Sequence, residues 1–382
     1  MQERGFPQDE FEIRVAHAQK DMASAGIEAL LLSTEADVRY FTGFLTRFWE
    51  SPTRPWFVIV PAAGDPIAVI PSIGAALMAQ TWLSDIRTWR APDPHDDGVS
   101  LLIDTLNQVA GAGRIGVPSG PETHIRMPLA DWARVVAGCD GTIGSANGIM
   151  RRLRAIKSDR EIAKIARACD IAAAAFADVP RIAAQGTPLS QVFREFQAAC
   201  LGHGADWVPY LAGGAGPSGY SDVISPAADT PLARGDVLML DTGLVWDGYF
   251  CDFDRNFSVG PPDTAAREAH ARLIDAVDAA ADIAAPGATA AELFHAMDRI
   301  VTGGAGGSDA GRLGHGLGMQ LTEGLSLVPA DHTPLKPGMV ITLEPGMDVA
   351  AGRIMVHEEV IAITQEGCRF LSPRASRELV QI

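Results

Sequence analysis

The chain carries LARGDVLMLDTG at residues 232–243 and LKPGMVITLEPG at residues 335–346. In both, a Leu is followed three residues later by Gly (Gly235, Gly338), then by an apolar run, and nine residues after the Leu by an acid, Asp241 or Glu344. A turn that feeds a buried strand, and a strand that delivers a carboxylate, is therefore written twice. An ionised carboxylate in an apolar layer costs several kcal/mol unless it is paired or bound to a cation, so two acids delivered the same way ask for a shared charge partner. A metal ion is the obvious one.

The rest of the chain sets bounds on that idea. Its 382 residues allow two domains and a large core, and 47% apolar with 20% charged residues is ordinary for a soluble globular protein. A formal net charge of −16 disfavours nucleic acid and anionic membrane as partners, because phosphate binding needs clustered Lys and Arg. The densest basic cluster, Arg151, Arg152 and Arg154, reads as a solvated linker ahead of a helix. The N-terminal MQERGFPQDE lacks the apolar run of a signal peptide, and no stretch approaches the length of a membrane span. Five scattered cysteines, Cys139, Cys169, Cys200, Cys251 and Cys368, argue against a disulfide framework or a zinc knuckle. The expectation is a reduced, cytoplasmic protein.

Residues 11–25 suit an amphipathic helix, and the runs IEALLLS, WFVIVP, PIAVIP and RIGVP suit strands, which predicts a smaller α/β domain over 1–155. A second domain over 156–382 opens with an S-x-x-E capping box, Ser158 to Glu161, ahead of a long Ala-rich helix reaching about Val179. Further helices are expected over 189–201 and 265–284, the latter closed by Pro286 and Gly287, with a Gly-rich loop over 303–314. Beyond Asp229 the pattern turns to strands, so the class is α+β, with helices on one face of a largely antiparallel sheet.

The first acid strand continues as DTGLVWDGYFCDFDR over 241–255. Asp247-Gly248 is a hairpin signal, since both residues tolerate the positive φ of a type I′ turn. A two-residue loop there pairs Trp246 with Tyr249, Gly243 with Asp252 and Asp241 with Asp254, and alternation places Asp241, Asp252 and Asp254 on one face. Three like charges on one face repel unless a cation or several donors join them. For the hairpin alone, the alternative is a solvated face for Asp252 and Asp254, with Asp241 capping a turn. Downstream, LGHGLG (313–318) surrounds His315 with glycines that permit close backbone approach, whereas His17, His95, His124, His270 and His332 read as ordinary core or surface residues. The run MVHEEVIAI (355–363) is strand-like, and alternation puts Glu358 on the face opposite His357 and Glu359.

At these residues the chain resembles the creatinase, prolidase and aminopeptidase P family, the pita-bread hydrolases that also include methionine aminopeptidases. The resemblance implies five metal ligands in order: Asp241, Asp252 eleven residues on, His315 in its GHGxG context, Glu344 ahead of Pro345 and Gly346, and Glu358. Glu358 is preferred to Glu359 because it lies six residues before Thr364, the family's spacing. The resemblance runs from about residue 156 to the end, and more loosely through the N-terminal region, where YFTGF (40–44) is similar to a family segment. It implies a C-terminal pita-bread fold with pseudo-two-fold halves, an antiparallel sheet covered by helices, plus a smaller α/β N-terminal domain and a homodimer. The four carboxylates would neutralise two divalent ions, and oxygen-rich ligation with one imidazole suits Mn²⁺, Co²⁺ or Fe²⁺ at least as well as Zn²⁺. Glu344 and His315 are the implied catalytic residues, Glu344 as acceptor of the proton from a metal-activated water.

The chain also departs from the family. Its peptidases carry a His ahead of the first Asp ligand, but none lies between His203 and His270, where Tyr220, Ser221 or Asp222 is available. Seven residues after His315, where a second His is usual, stands Thr322, followed by Glu323. The Arg usual two residues before the final Glu is Val356, with Arg353 nearby, and the family's Thr after the second Asp ligand is Asp254, either an extra carboxylate on the metal or a partner of Arg255. The loop FLTRFWESPTRPW (44–56) is aromatic and charged, so Trp49 and Trp56 beside Glu50 suit either a cationic small molecule or simple packing. Trp49, Trp56, Tyr220, Thr322 and Arg353 are thus the substrate-binding candidates. The leading expectation is a dinuclear metal-dependent hydrolase of Xaa-Pro dipeptidase or aminopeptidase P type, acting on a dipeptide or other small molecule. A creatinase- or ectoine-hydrolase-like C–N hydrolase and a non-catalytic pita-bread binding module are the alternatives.

Overall fold

The structure, a computed structural model, describes residues 3–50, 55–308 and 311–382. It divides into two compact units, Met1–Leu153 and Arg154–Ile382. In the first, the apolar runs become β1 (Ala29–Leu32), β2 (Phe57–Pro61), β3 (Ile67–Pro71), β4 (Ile86–Trp89), β5 (Arg114–Val117) and β6 (Thr142–Ser145). They form one mixed sheet in the order β4-β3-β2-β1-β5-β6. Ala29, Leu31, Phe57, Ile59 and Val69 pack with Leu102 and Leu106 of helix Val99–Ala110, while the alternate residues Leu30, Leu32, Val58 and Val60 are buried on the opposite face. Burial of both faces explains why these strands read as continuous apolar runs rather than as alternating ones. The basic cluster lies in helix Ile149–Ala155, where Arg151 and Arg152 are exposed, Arg152 pairing with Asp21, whereas Arg154 is buried against Glu323 at 2.5 Å.

The second unit opens with helix Asp159–Ile182, whose capping box forms in both directions between Ser158 and Glu161. Helix Leu189–Gly202 follows, then β7 (Trp207–Pro217), β8 (Asp236–Trp246), β9 (Tyr249–Phe250) and β10 (Phe253–Ser258). A second helix pair, Thr264–Ile283 and Ala290–Val301, precedes β11 (Val340–Leu343), β12 (Gly346–Ala350), β13 (Arg353–Val356), β14 (Glu359–Ile363), β15 (Cys368–Phe370) and β16 (Val380–Gln381). Helix Ala290–Val301 was not expected from apolar periodicity, yet Thr289 and Glu292 form a complete capping box at its start, a signal of the same kind as Ser158 and Glu161. Strand order is β16-β10-β8-β7, with β9 on β8, beside β11-β14-β15 and the hairpin β12-β13; every pair is antiparallel except β10 with β16.

Each half of this second unit is anchored internally by a matching pair of hydrogen bonds. Gly186 N–H donates to Leu232 O at 2.8 Å and Leu232 N–H to Thr187 O at 2.9 Å; Gly287 donates to Leu335 O at 3.0 Å and Leu335 to Ala288 O at 2.7 Å. Each Leu is buried, and each is followed by a glycine in the left-handed region, Gly235 at φ 92° and Gly338 at φ 90°. The repeated L-x-x-G is therefore a repeated anchor and turn that sets the start of β8 and of β11. Behind them, Phe176, Phe196 and Phe253 stack at 4.9 and 5.2 Å in the first half, and Leu273, Val277, Leu293 and Met297 pack on Ile341, Leu343, Ile361 and Ile363 in the second. No helix among the described residues is long and apolar enough to cross a membrane, and all five cysteines are free thiols.

The two turn glycines differ in surroundings, which yields a test. A Cβ on Gly235 meets nothing within 4 Å, whereas one on Gly338 meets Lys157 O at 2.9 Å. Gly235→Ala is expected to cost about 1–2 kcal/mol from backbone strain alone, and Gly338→Ala measurably more, by urea denaturation. Equal losses would contradict the assignment of an extra steric contact.

Candidate metal centre

The hairpin forms in the register that alternation predicts. Asp247 and Gly248 both have positive φ, 49° and 81°, Trp246 pairs with Tyr249, and Asp241 pairs with Asp254. In the other half Leu343 pairs with Glu359, so one step further along the same register Glu344 stands across from Glu358. Residues 313–317 run beside β11: Leu313 O accepts from Glu344 N–H at 3.0 Å, His315 O accepts from Thr342 N–H at 2.8 Å, and Leu317 N–H donates to Val340 O at 3.1 Å. A Cβ on Gly314 or Gly316 would meet a carbonyl oxygen at 2.2 or 1.9 Å, so the glycines around His315 serve close backbone approach.

These segments bring Asp252, His315 and Glu358 together, all buried, with one ligating atom from each within 4.8 Å of the others. His315 Nδ1 lies 3.0 Å from Gly316 O, a group that can only accept, so the proton sits on Nδ1 and Nε2 is left as the ligating nitrogen. Nε2 faces Asp252 Oδ2 at 3.4 Å. Asp241 Oδ2 accepts from the Tyr210 hydroxyl at 2.9 Å, while Asp241 Oδ1 and Glu358 Oε1 are buried without a hydrogen-bond partner.

The electrostatics tell the same story. Burial pushes the Asp241, Asp252 and Glu358 carboxyls well above the usual range, and repulsion from the neighbouring acids adds to it. Burial also raises Glu344, with partial relief from His315 and Arg312. Orphaned oxygens and mutual repulsion among buried acids are what a divalent cation would relieve, and four carboxylates with an imidazole suit a hard or borderline ion.

Asp254 lies beside this set with one of its oxygens committed to the protein. Its Oδ1 accepts the Glu358 N–H at 2.9 Å and faces His357 Nδ1 at 3.2 Å, so it braces the backbone of Glu358. His357 Nε2 reaches Glu359 Oε1 at 3.4 Å, and Glu359 Oε2 accepts from Arg255 Nη2 at 3.1 Å and from Ser372. Arg255 thus pairs with Glu359, not with the Asp254 carboxylate. Burial would raise Glu359, but the hydrogen bond to His357 and the charges of Arg255 and His357 outweigh it and hold the carboxyl at about 2.

The substrate candidates fare differently. Tyr220 is fully buried and its hydroxyl accepts from Val356 N–H at 2.6 Å, so it ties the β12-β13 hairpin in place instead of facing a substrate. Arg353 lies against Gly216, where a Cβ would meet its Nη1 at 2.6 Å, whereas Ile354 and Val356 line a cavity of about 470 Å³ beside Glu344. Thr322 accepts from Arg312 Nη2 at 3.1 Å. Trp49 and Trp56 are buried in the first unit, where Trp56 packs on Phe44 at 5.2 Å and on Trp49 at 6.0 Å, and Glu50 is paired with Arg47. Residues 51–54 of that loop, Arg54 among them, lie outside the described residues.

Sequence reasoning missed Arg312 and Tyr210. Arg312 lines the cavity with Glu344, and its charge favours the ionised forms of Asp252 and Glu344; its place three residues before His315 was the available clue. Tyr210 had no local clue, because a register shift in β7 between Trp207 and Tyr210 sets which way it faces.

Residues 163–365 match the profile described as metallopeptidase family M24, and residues 14–156 that of the creatinase/prolidase N-terminal domain. The probable dipeptidase PepE of Mycobacterium tuberculosis is 28% identical over 371 residues, 96% of each chain. The Xaa-Pro dipeptidase of Pyrococcus horikoshii is 31% identical over 236 residues, 61% of this chain and 66% of that one. The crystal structure of dipeptidase PepE from Mycobacterium ulcerans superposes with a TM-score of 0.84 at 26% identity, covering 99% of both chains.

The raised carboxyls give a pH test. Acids whose folded-state values are raised leave the metal-free fold fully stable below the ordinary 3.8 to 4.5 of Asp and Glu, and that stability is lost as pH climbs through the raised values. Glu359 acts in the opposite sense, its contribution being lost as pH falls towards about 2, but it does so with or without metal and cancels in the difference. The gain in Tm when Mn²⁺ is added to chelated protein is expected to grow from about pH 5 to about pH 8 by scanning calorimetry. A gain that is flat or shrinks over that span would contradict a cation bound among these acids.

Proposed function

We propose that this chain, which belongs to metallopeptidase family M24, hydrolyses the peptide bond of a short substrate of Xaa-Pro dipeptide type with two divalent ions held by Asp241, Asp252, His315, Glu344 and Glu358. The observation that carries the reading is the buried Asp252, His315 and Glu358 cluster, with unpartnered carboxylate oxygens on Glu358 and on neighbouring Asp241. The names of two relatives, a probable dipeptidase and an Xaa-Pro dipeptidase, favour a dipeptide over a longer peptide.

Bound divalent ions supply a water of lowered pKa and polarise the scissile carbonyl. Glu344 takes the proton of the attacking water on its carboxylate and returns it to the leaving nitrogen; burial makes it more basic than a solvated Glu. His315, its Nδ1–H committed to Gly316 O, offers Nε2 in one fixed direction. Arg312 supplies a positive charge beside Glu344. The oxygen-rich ligand set favours Mn²⁺. Free thiols throughout suit a reducing, cytoplasmic compartment, and the family resemblance suits a homodimer.

Hydrolysis of an Xaa-Pro dipeptide panel is expected with added Mn²⁺ and not after chelation. Turnover of creatine or ectoine with none on the panel would sink the peptide assignment. Glu344→Gln is expected to lower kcat by about a hundred- to ten-thousandfold. Near-parental kcat in that variant would remove Glu344 from proton transfer.

A further inference from the structure

The Gly-rich segment that follows helix Ala290–Val301 is built around one buried acid. Asp298 lies in the last turn of that helix, where the carbonyl ends disfavour a carboxylate, and only 3% of it is exposed. Its side chain is spent on the loop beyond: Oδ2 accepts from Gly307 N–H and Oδ1 from Ser308 N–H, each at 2.9 Å. One turn on, the Thr302 hydroxyl accepts from Gly306 N–H at 2.8 Å. Between these anchors Gly303, Gly304, Gly306 and Gly307 all have φ between 62° and 92°. Glycine permits that path but does not hold it, because it has the most backbone freedom to lose. Asp298 therefore supplies order that the loop's own residues lack. The segment also belongs to the site. Val301, Thr302 and Ser308 line the cavity of about 470 Å³ beside Glu344, together with Met347, Ile354 and Val356 of the β12-β13 hairpin.

We propose that Asp298 is a positioning residue that holds loop 302–308 as a fixed wall of the pocket for the residue on the leaving side of the scissile bond. Glu344 returns a proton to the leaving nitrogen, so the group beyond that nitrogen occupies the cavity that Glu344 lines. A wall pinned before substrate arrives spares binding the cost of ordering it. An unpinned wall lowers the apparent affinity by the fraction of time it spends out of place. Asp298 acts on binding through the loop, not on the reacting atoms. The inference rests on the peptidase reading above, but it concerns an acid that reading does not use.

Asp298→Asn keeps the size of the side chain but turns one acceptor into a donor that faces an N–H. Hydrogen exchange at Gly307 and Ser308 is expected to quicken by about tenfold or more, while that at Gly304, bonded to Arg299 O, stays as it is. KM for an Xaa-Pro dipeptide is expected to rise about tenfold, with kcat and Mn²⁺ affinity held within about twofold. Thr302→Val removes the acceptor of Gly306 N–H, so it should quicken exchange at Gly306 and raise KM in the same way; it carries the test if Asp298→Asn does not fold. Quickened exchange or lowered urea stability with a parental KM overturns the role of Asp298, as does a fall in kcat or Mn²⁺ affinity in step with the rise in KM, and each leaves the peptidase reading intact. A parent protein that hydrolyses nothing on the dipeptide panel overturns that reading itself, and this inference with it.

Discussion

Several carboxylates gathered in one pocket repel each other, and the second unit is organised around that repulsion. Asp241, Asp252, Glu344 and Glu358 are each raised by burial, and the neighbouring acids add to the strain. Without a cation such a set takes up protons, which an arriving cation must displace. The fold holds the acids in place on strands whose other face is core: Ile341 and Leu343 are buried beneath the helices, and Leu238 and Leu240 are buried along β8. The stability of these hydrophobic layers sustains an arrangement that is unfavourable until a cation arrives.

The two halves share a scaffold and differ in its use. Both start from a buried Leu and a left-handed Gly, and both place an acid across from a second acid, Asp241 from Asp254 and Glu344 from Glu358. The two second acids differ in their contacts. Asp254 turns to the Glu358 N–H and His357, so the first half's acid orients the backbone of the second half's ligand. Charge then disperses outward from His357 through Glu359 to Arg255, which keeps a row of buried ionisable groups paired. The symmetry supplies position, and its breakage supplies a ligand set with one well-defined imidazole.

Much of this was legible in the sequence because it is local. The L-x-x-G turns, the Asp247-Gly248 hairpin, the Ser158 capping box and the glycines about His315 each carry their geometry in a few adjacent residues. Helix Ala290–Val301 was legible too, through Thr289 and Glu292 and through the apolar stripe Ala290, Leu293, Phe294, Met297 and Val301. What could not be read is tertiary. Tyr220 looked like a candidate for the space of an absent His, yet its hydroxyl is taken by Val356 N–H from a strand more than a hundred residues away. Tyr210 faces Asp241 only because β7 shifts register before it. Trp49 and Trp56 carry the same composition whether they greet a ligand or fill a core, and here their rings pack on each other and on Phe44.

The central claim is that the acids delivered by β8 and β11 are tolerated because they share cations. Anomalous scattering from crystals of the chelated protein soaked in Mn²⁺ tests it directly. The account predicts two peaks lying among Asp241, Asp252, His315, Glu344 and Glu358. Strong peaks elsewhere with none among these five residues, in crystals of protein that still hydrolyses its substrate, would contradict it.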